Sequence, residues 1–146
     1  MLNKILFSLT LLMLLAGAST THAQRTDTLK TNTGLKYLIL KRGNGQKPWL
    51  GKQVSFYYTV SFLNDNKFDS NANGKPYKAN LNNEELIPGL LEGLTLMTKG
   101  AKYKFIIPAN LAWAEEGVPN PEGNPKYLVE PNTTVVYEVE LLDFKN

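Results

Sequence analysis

The side chains that most often carry chemistry are scarce in this chain, and the scarcity narrows what it can do. Its 146 residues include no cysteine, which excludes disulfides, thiolate nucleophiles, iron–sulfur clusters and cysteine-held zinc. The single histidine, His22, lies in a leader expected to be removed. The remaining chain can then assemble neither a Ser-His-Asp nor a Cys-His triad, and no histidine-held metal. The main acidic candidates are Asp69, Glu84, Glu85, Glu92, Glu115 and Glu116. None sits in a local pattern that pairs an acid with a base for glycoside hydrolysis, and no D-x-[DN]-x-[DN]-G calcium loop occurs. What remains is chemistry that needs no strong nucleophile and no base poised near neutral pH; no metal and no cofactor is expected.

Composition agrees with one folded domain. Hydrophobic residues make up 42% and aromatic residues 10%, too many for a disordered chain. Sixteen basic against thirteen acidic residues leave a formal net charge of +3, which gives no reason to expect nucleic acid or an anionic membrane as the main partner.

The start of the chain reads as an address. Lys4 precedes an apolar run from Ile5 to Ala18, and small residues at Thr21 and Ala23 fit a cleavage site, which places the mature start at Gln24. The alternative is an uncleaved anchor, but as a helix the run reaches only about 21 Å, short of the ~30 Å hydrocarbon core. A signal peptide over 1–23 is therefore expected, with export to a periplasm or out of the cell and no stable membrane insertion after cleavage. No cysteine follows the run, so a lipoprotein anchor is excluded. Residues 24–33, polar and nearly free of apolar residues, read as a flexible leader.

Order is expected to begin at Gly34. Leu35, Tyr37 and Ile39 share one face of a strand, and GNGQKPWLG is turn chemistry. The clearest β signal is VSFYYTVSFL, in which Val54, Phe56, Tyr58, Val60 and Phe62 alternate with hydroxyl-bearing residues. KFDS, a stretch around Tyr77 to Leu81, AKYKFIIP and TTVVYEVELLDF supply further strands. One segment, NEELIPGLLEGL, has helical period, with Leu86, Ile87, Leu90, Leu91 and Leu94 on a single stripe. A helix of about three turns is expected there, capped by Asn82 or Asn83, with Glu84 and Glu85 in its first turn and Pro88 tolerated near its start. One helix cannot cover both faces of a sheet. The predicted fold class is therefore α+β: a curved antiparallel half-barrel of five or six strands wrapped around one short amphipathic helix. No dimerisation segment stands out, so a monomer is expected.

In order and spacing, GLKYLILKRGNG from Gly34, V-x-F-x-Y from Val54, KFDS from Lys67, LIPGLLEGLTLMTKG from Leu86, YKFIIPANLAWA from Tyr103 and VEPNTTVVYEVELL from Val129 resemble the FKBP-type peptidyl-prolyl cis–trans isomerases. The resemblance covers 34–146 and implies an FKBP-like fold. It also implies acceleration of rotation about X-Pro bonds in proline-containing polypeptides, a reaction that needs neither His nor Cys. It assigns Tyr58, Phe68, Asp69, Ile87, Trp113 and Tyr137 to catalysis. Tyr77, Leu86, Leu90, Leu128 and Val129 become substrate contacts, with Leu90 as the floor of the proline pocket. On periodicity alone, Tyr58, Phe68, Leu90 and Tyr137 fit core positions of any half-barrel, and Asp69 fits a turn. The sequence departs from the family pattern at four places: Leu90 where an aromatic floor is usual, Trp113 where a Tyr is usual, Ala114 where a Gly is usual, and Ala79 where another pocket aromatic is usual. The segment from Glu115 to Pro131, a flap longer than usual, reads as a partner-binding element or as a tolerated insertion. The departures keep open an alternative of another class, a weakly active or inactive module that holds peptides as a chaperone does.

Overall fold

The computed structural model describes residues 27–145 apart from Asn83. The expected signal peptide and its cleavage point lie outside them. The strands are β1 (Leu29–Lys30), β2 (Lys36–Lys41), β3 (Gln53–Phe62), β4 (Lys67–Ser70), β5 (Tyr77–Asn80), β6 (Lys102–Ile107), β7 (Val118–Pro119), β8 (Tyr127–Val129) and β9 (Val135–Lys145), and the α-helix, α1, spans Pro88–Leu96. Seven strands form one sheet in the order β1-β2-β6-β9-β3-β4, with β5 sharing the outer edge of β3 with β4. Every pairing in it is antiparallel. β7 and β8 form a separate hairpin inside the flap.

The two long strands are the spine. β3 pairs with β9 from Gln53↔Lys145 to Phe62↔Val135, and β9 pairs on its other side with β6. Register shifts interrupt β3–β9 at Ser55/Phe56, β3–β4 at Val60/Ser61 and β2–β6 at Ile39/Lys41. Such bulges bend strands and raise their twist, which curls the sheet toward the helix. The alternation read from the sequence matches the pairing. Tyr103, Phe105 and Ile107 are buried while Lys102, Lys104 and Ile106 are not. The opposite face is solvated and carries cross-strand ion pairs, among them Lys102–Glu138 at 2.5 Å and Lys41–Glu140 at 4.0 Å.

α1 lies against β6 and closes the core. Leu90, Leu91 and Leu94 are buried, as the stripe predicts, but two glycines set the distance of approach. A Cβ on Gly93 would meet the Phe105 ring at 2.8 Å, and one on Gly89 would overlap Ile107. Phe105 and Leu94 are consequently sealed from solvent, beside Phe56, Leu81, Met97, Ile107 and Leu141.

Three expectations need correction. The helix begins at Pro88, not at Asn82 or Asn83, and is nine residues long. The residue before a proline is pushed out of the α region, and Ile87 is indeed extended at φ −59°, ψ 146°. Pro88 therefore fixes the first helical position and leaves Glu84 and Glu85 in the preceding loop. There the Asn82 side chain accepts the N–H groups of both, each at 3.2 Å, without capping the helix; Asn83 lies outside the described residues. Second, order begins before Gly34, at β1. Leu29 and Lys30 pair with Tyr37 and Lys36, and the Thr33 hydroxyl donates to Glu92 of α1 at 2.6 Å. Third, there are more strands than five or six, because β1, β7 and β8 are two or three residues long. Alternation cannot be read from so short a run.

Candidate functional site

Where the N-terminal end of α1 meets β3 and β9, the concave face is left open as a cavity of about 210 Å3. Its lining is Phe56, Tyr58, Tyr77, Glu85, Leu86, Ile87, Leu90, Trp113 and Tyr137. Seven of the eleven sequence-predicted site residues are thus brought together: Tyr58, Tyr77, Leu86, Ile87, Leu90, Trp113 and Tyr137.

They arrive from several elements. Phe56 and Tyr58 are two apart on β3 and so point to the same face, and Tyr137 comes from the neighbouring β9. Tyr77 opens β5 directly opposite Phe56. The rings form one edge-packed cluster. Phe56 and Tyr77 are 5.6 Å apart at 65°, Tyr58 and Tyr77 6.1 Å apart at 89°, and Tyr58 and Tyr137 6.0 Å apart at 38°. These separations fall in the range in which the positive edge of one ring meets the negative face of another. Trp113 is presented by the tight turn after the 3-10 segment Ala109–Leu111, where Ala114 N–H reaches back to the Ala109 carbonyl at 2.8 Å. That turn holds Ala114 at φ +46°, the conformation a glycine adopts at no steric cost.

Between the end of β4 and the start of β5, Asn71 takes the place of a neighbouring strand. Its Oδ1 accepts the Tyr58 N–H at 2.7 Å, its Nδ2 donates to the Lys75 carbonyl at 3.2 Å, and its own N–H donates to the Tyr58 carbonyl at 3.2 Å. The backbone carrying Tyr58 is therefore paired on both sides, with β9 on one and Asn71 on the other, where the gap between β4 and β5 leaves no strand.

Asp69 stands behind the lining and holds one of its members. The Tyr58 hydroxyl donates to Asp69 Oδ2 at 2.9 Å. Burial, followed by this bond and the charge of Asp69, pushes the Tyr58 hydroxyl up to about 12. Burial also pushes the Tyr137 hydroxyl up, with Tyr58 and Asp69 adding to it. Both phenols stay neutral through the physiological range. Glu85 is held differently: its two carboxylate oxygens accept the backbone N–H and the side-chain amide of Asn80, each at 2.8 Å, and the carboxyl lies below its ordinary value.

Besides Asp69, three predicted residues are outside the lining. Phe68 is the extra residue of the β3–β4 bulge, where Asp69 faces Val60 and Lys67 faces Ser61, and it stacks on Phe62 at 4.5 Å. Val129 pairs with Val118 in the flap hairpin and is buried, while its neighbour Leu128 points to solvent. Ala79, where the family pattern has another pocket aromatic, is a core residue opposite Val54. Two lining residues were not among those predicted. Phe56 was visible as part of the β3 face but carried no mark that set it apart from core. Glu85 was placed in a helix that begins only at Pro88.

The family model for FKBP-type peptidyl-prolyl cis-trans isomerase matches residues 44–142. The chain belongs to this FKBP family. It is 33% identical over 124 residues to the FKBP-type peptidyl-prolyl cis-trans isomerase FkpA of Buchnera aphidicola subsp. Baizongia pistaciae, covering 84% of this chain and 45% of that protein. The crystal structure of FkpA from Escherichia coli superposes with a TM-score of 0.72 at 34% identity, covering 84% of this chain and 54% of that one. The crystal structure of AtFKBP13 gives 0.74 at 25% identity, covering 82% of this chain and 99% of that one. The antiparallel sheet and its short helix are thus an FKBP fold. The chain spans less than half the length of the first FkpA relatives, 45%, 42% and 39% of them.

Proposed function

We propose that this chain accelerates rotation about X-Pro peptide bonds in proline-containing polypeptides. The observation that carries the reading is the cavity in an FKBP fold, a small aromatic recess with no nucleophile in it. At about 210 Å3 it is smaller than the ~300–1,000 Å3 of sites that enclose a whole small molecule, and suits one side-chain ring.

The chemistry follows from the amide. Resonance gives the C–N bond partial double-bond character and a barrier of about 18–20 kcal/mol. The planar ground state carries charge on the carbonyl oxygen that water stabilises; the twisted transition state is less charge-separated. A recess that replaces water with Phe56, Tyr58, Leu90 and Tyr137 favours the twisted form, provided its shape fits that form better. In this reading Leu90 is the floor and Leu86 and Ile87 line the peptide. Asp69 fixes the Tyr58 hydroxyl, so that the ring offers a fixed wall. The Trp113 indole, the one side-chain N–H donor in the lining, is placed to donate to a peptide carbonyl. Phe68, Leu128 and Val129 act from behind or beside the lining.

The proposal extends to the cell. The sequence of 1–23 supports a cleaved signal peptide, a mature start at Gln24 and clients among exported proteins, with the domain over 34–146 acting as a monomer. Leu90 and Ala114 favour a second reading, a site that holds peptides without useful catalysis. Exchange spectroscopy on Ala-X-Pro-Phe peptides separates the two. Faster cis–trans exchange, strongly reduced in Asp69→Ala, supports the isomerase; binding shifts without faster exchange support the holding site. Neither effect for any X would refute the pocket assignment.

A further inference from the structure

One member of the cavity lining is a charge. Glu85 lies in the loop between β5 and α1, directly before Leu86 and Ile87. It is not a loose surface carboxylate. The Asn80 backbone N–H holds Oε2 and the Asn80 side-chain amide holds Oε1, so the group is clamped at two points against the end of β5. Each oxygen keeps acceptor capacity beyond these bonds. The clamp keeps the carboxyl below its ordinary value and therefore ionised near neutral pH. None of the three ion pairs among the described residues involves it. Asp69, held by the Tyr58 hydroxyl, adds a second negative charge behind the same aromatic cluster. The nine lining residues include no Lys and no Arg. A negative recess thus stands in a chain whose formal net charge is +3, so the local sign is not inherited from the average.

We propose that Glu85 makes this site select X-Pro segments that carry Lys or Arg beside the proline and reject those that carry Asp or Glu there. The proposal rests on the isomerase reading above and names its substrate class. Proline brings no charge of its own, so selection acts on its neighbour, whose long basic side chain reaches over the rim. An Arg in addition matches a carboxylate through paired N–H donors. The pair stays in contact with water, which makes the effect modest: roughly three- to tenfold in kcat/KM between Lys and Glu peptides at low ionic strength.

The test measures catalysed exchange on Ala-X-Pro-Phe and Ala-Leu-Pro-X, with X as Lys, Leu or Glu, for the wild type and Glu85→Gln. The readout is the Lys-to-Glu ratio within each protein, which cancels any general loss in the variant. The expected order is Lys, Leu, Glu for at least one position of X, with the ratio falling to within about twofold in Glu85→Gln. Raising the salt from about 10 mM to about 500 mM in the wild type should collapse the ratio in the same way, because screening shortens the reach of an exposed charge. The salt series decides the matter if Glu85→Gln does not fold. Equal acceleration of Lys and Glu peptides at low salt, or a preference that survives both the variant and the salt, overturns the selectivity and leaves the isomerase reading standing. Absence of acceleration for every peptide overturns both.

Discussion

Phe105 and Tyr137 are register partners on adjacent strands, and Val60 lies beyond Tyr137 in the same cross-strand row. Both rings point to the concave face, yet one is sealed under α1 and the other lines the cavity. The strands do not make the difference. Gly93 lets the helix rest directly on the Phe105 ring, whereas the end of the helix set by Pro88 borders an opening. A pocket here is core that the covering element leaves open, and the position of one proline and two glycines decides where core stops.

That view predicts unequal costs along the row. Phe105→Ala removes a fully buried ring beneath the helix and is expected to cost about 3–5 kcal/mol, read from denaturant unfolding. Tyr137→Phe keeps the ring and loses only a hydroxyl, so its cost should stay within ~1.5 kcal/mol while peptide exchange changes more than stability does. Equal stability losses in the two variants would show that the helix covers both positions alike. Gly93→Ala is the next largest test. Its methyl meets the Phe105 ring with nowhere to go, and about 1–3 kcal/mol of destabilisation is expected despite the better helix propensity of Ala. A stabilised Gly93→Ala would mean that the helix can rise without loss, and the contrast with the cavity end would fail.

At the open end, changes should register in activity first. Leu90 stands where the family carries an aromatic floor, and empty space lies beside it. If the small floor limits the rate, Leu90→Trp should raise kcat/KM several-fold with the fold intact, about 1 kcal/mol off the barrier. No gain in a folded variant refutes that explanation. The phenol cluster gives a pH test with a definite sign. The Tyr58 hydroxyl is raised to about 12 in the folded protein against an ordinary value near 10. Its contribution to stability is complete below the unfolded value and is lost as pH rises toward the folded one. Tyr58→Phe should therefore narrow its stability deficit to the wild type between pH 10 and 12, followed by alkaline melts; parallel curves would show that burial and the Asp69 bond do not raise the hydroxyl.

The sequence reading reached the sheet and the face of the helix because both rest on periods long enough to count. Five residues of β3 at period two, and Leu86 through Leu94 at helical spacing, required nothing from elsewhere in the chain. It reached seven lining residues only through resemblance, since Tyr58 and Tyr137 obey the same alternation as Val60 and Val139, which are core. The place of Phe68 outside the lining was not legible, because a bulge has no signature in four residues of KFDS. The departure of Glu85 from the helix was legible in principle: a proline three residues later already forbids the turn that would have contained it. The loops remained opaque for a different reason. The flap hairpin pairs two residues with three across a turn, and runs so short carry no alternation to read.

The smallest predicted effect lies at the entry to that flap, where two positive-φ residues three apart have opposite needs. Gly117 sits at φ +63°, and a Cβ there would meet the Val129 carbonyl oxygen at 2.5 Å, so Gly117→Ala adds both backbone strain and a clash. Ala114 sits at φ +46° with its methyl already accommodated, beside Trp113 and bonded through its carbonyl to the Asn132 N–H at 2.6 Å. An L-residue in this conformation loses about 1–2 kcal/mol, and replacing it with glycine returns that while adding about 0.5–1 kcal/mol of unfolded-state freedom. Ala114→Gly should therefore stabilise the fold by no more than about 1.5 kcal/mol, measured by denaturant unfolding. Its effect on exchange carries the sharper information. If the strained turn is what aims Trp113 into the cavity, relaxing it should lower kcat/KM while stability rises. If both rise together, the strain is a cost of the substitution and serves nothing in the site.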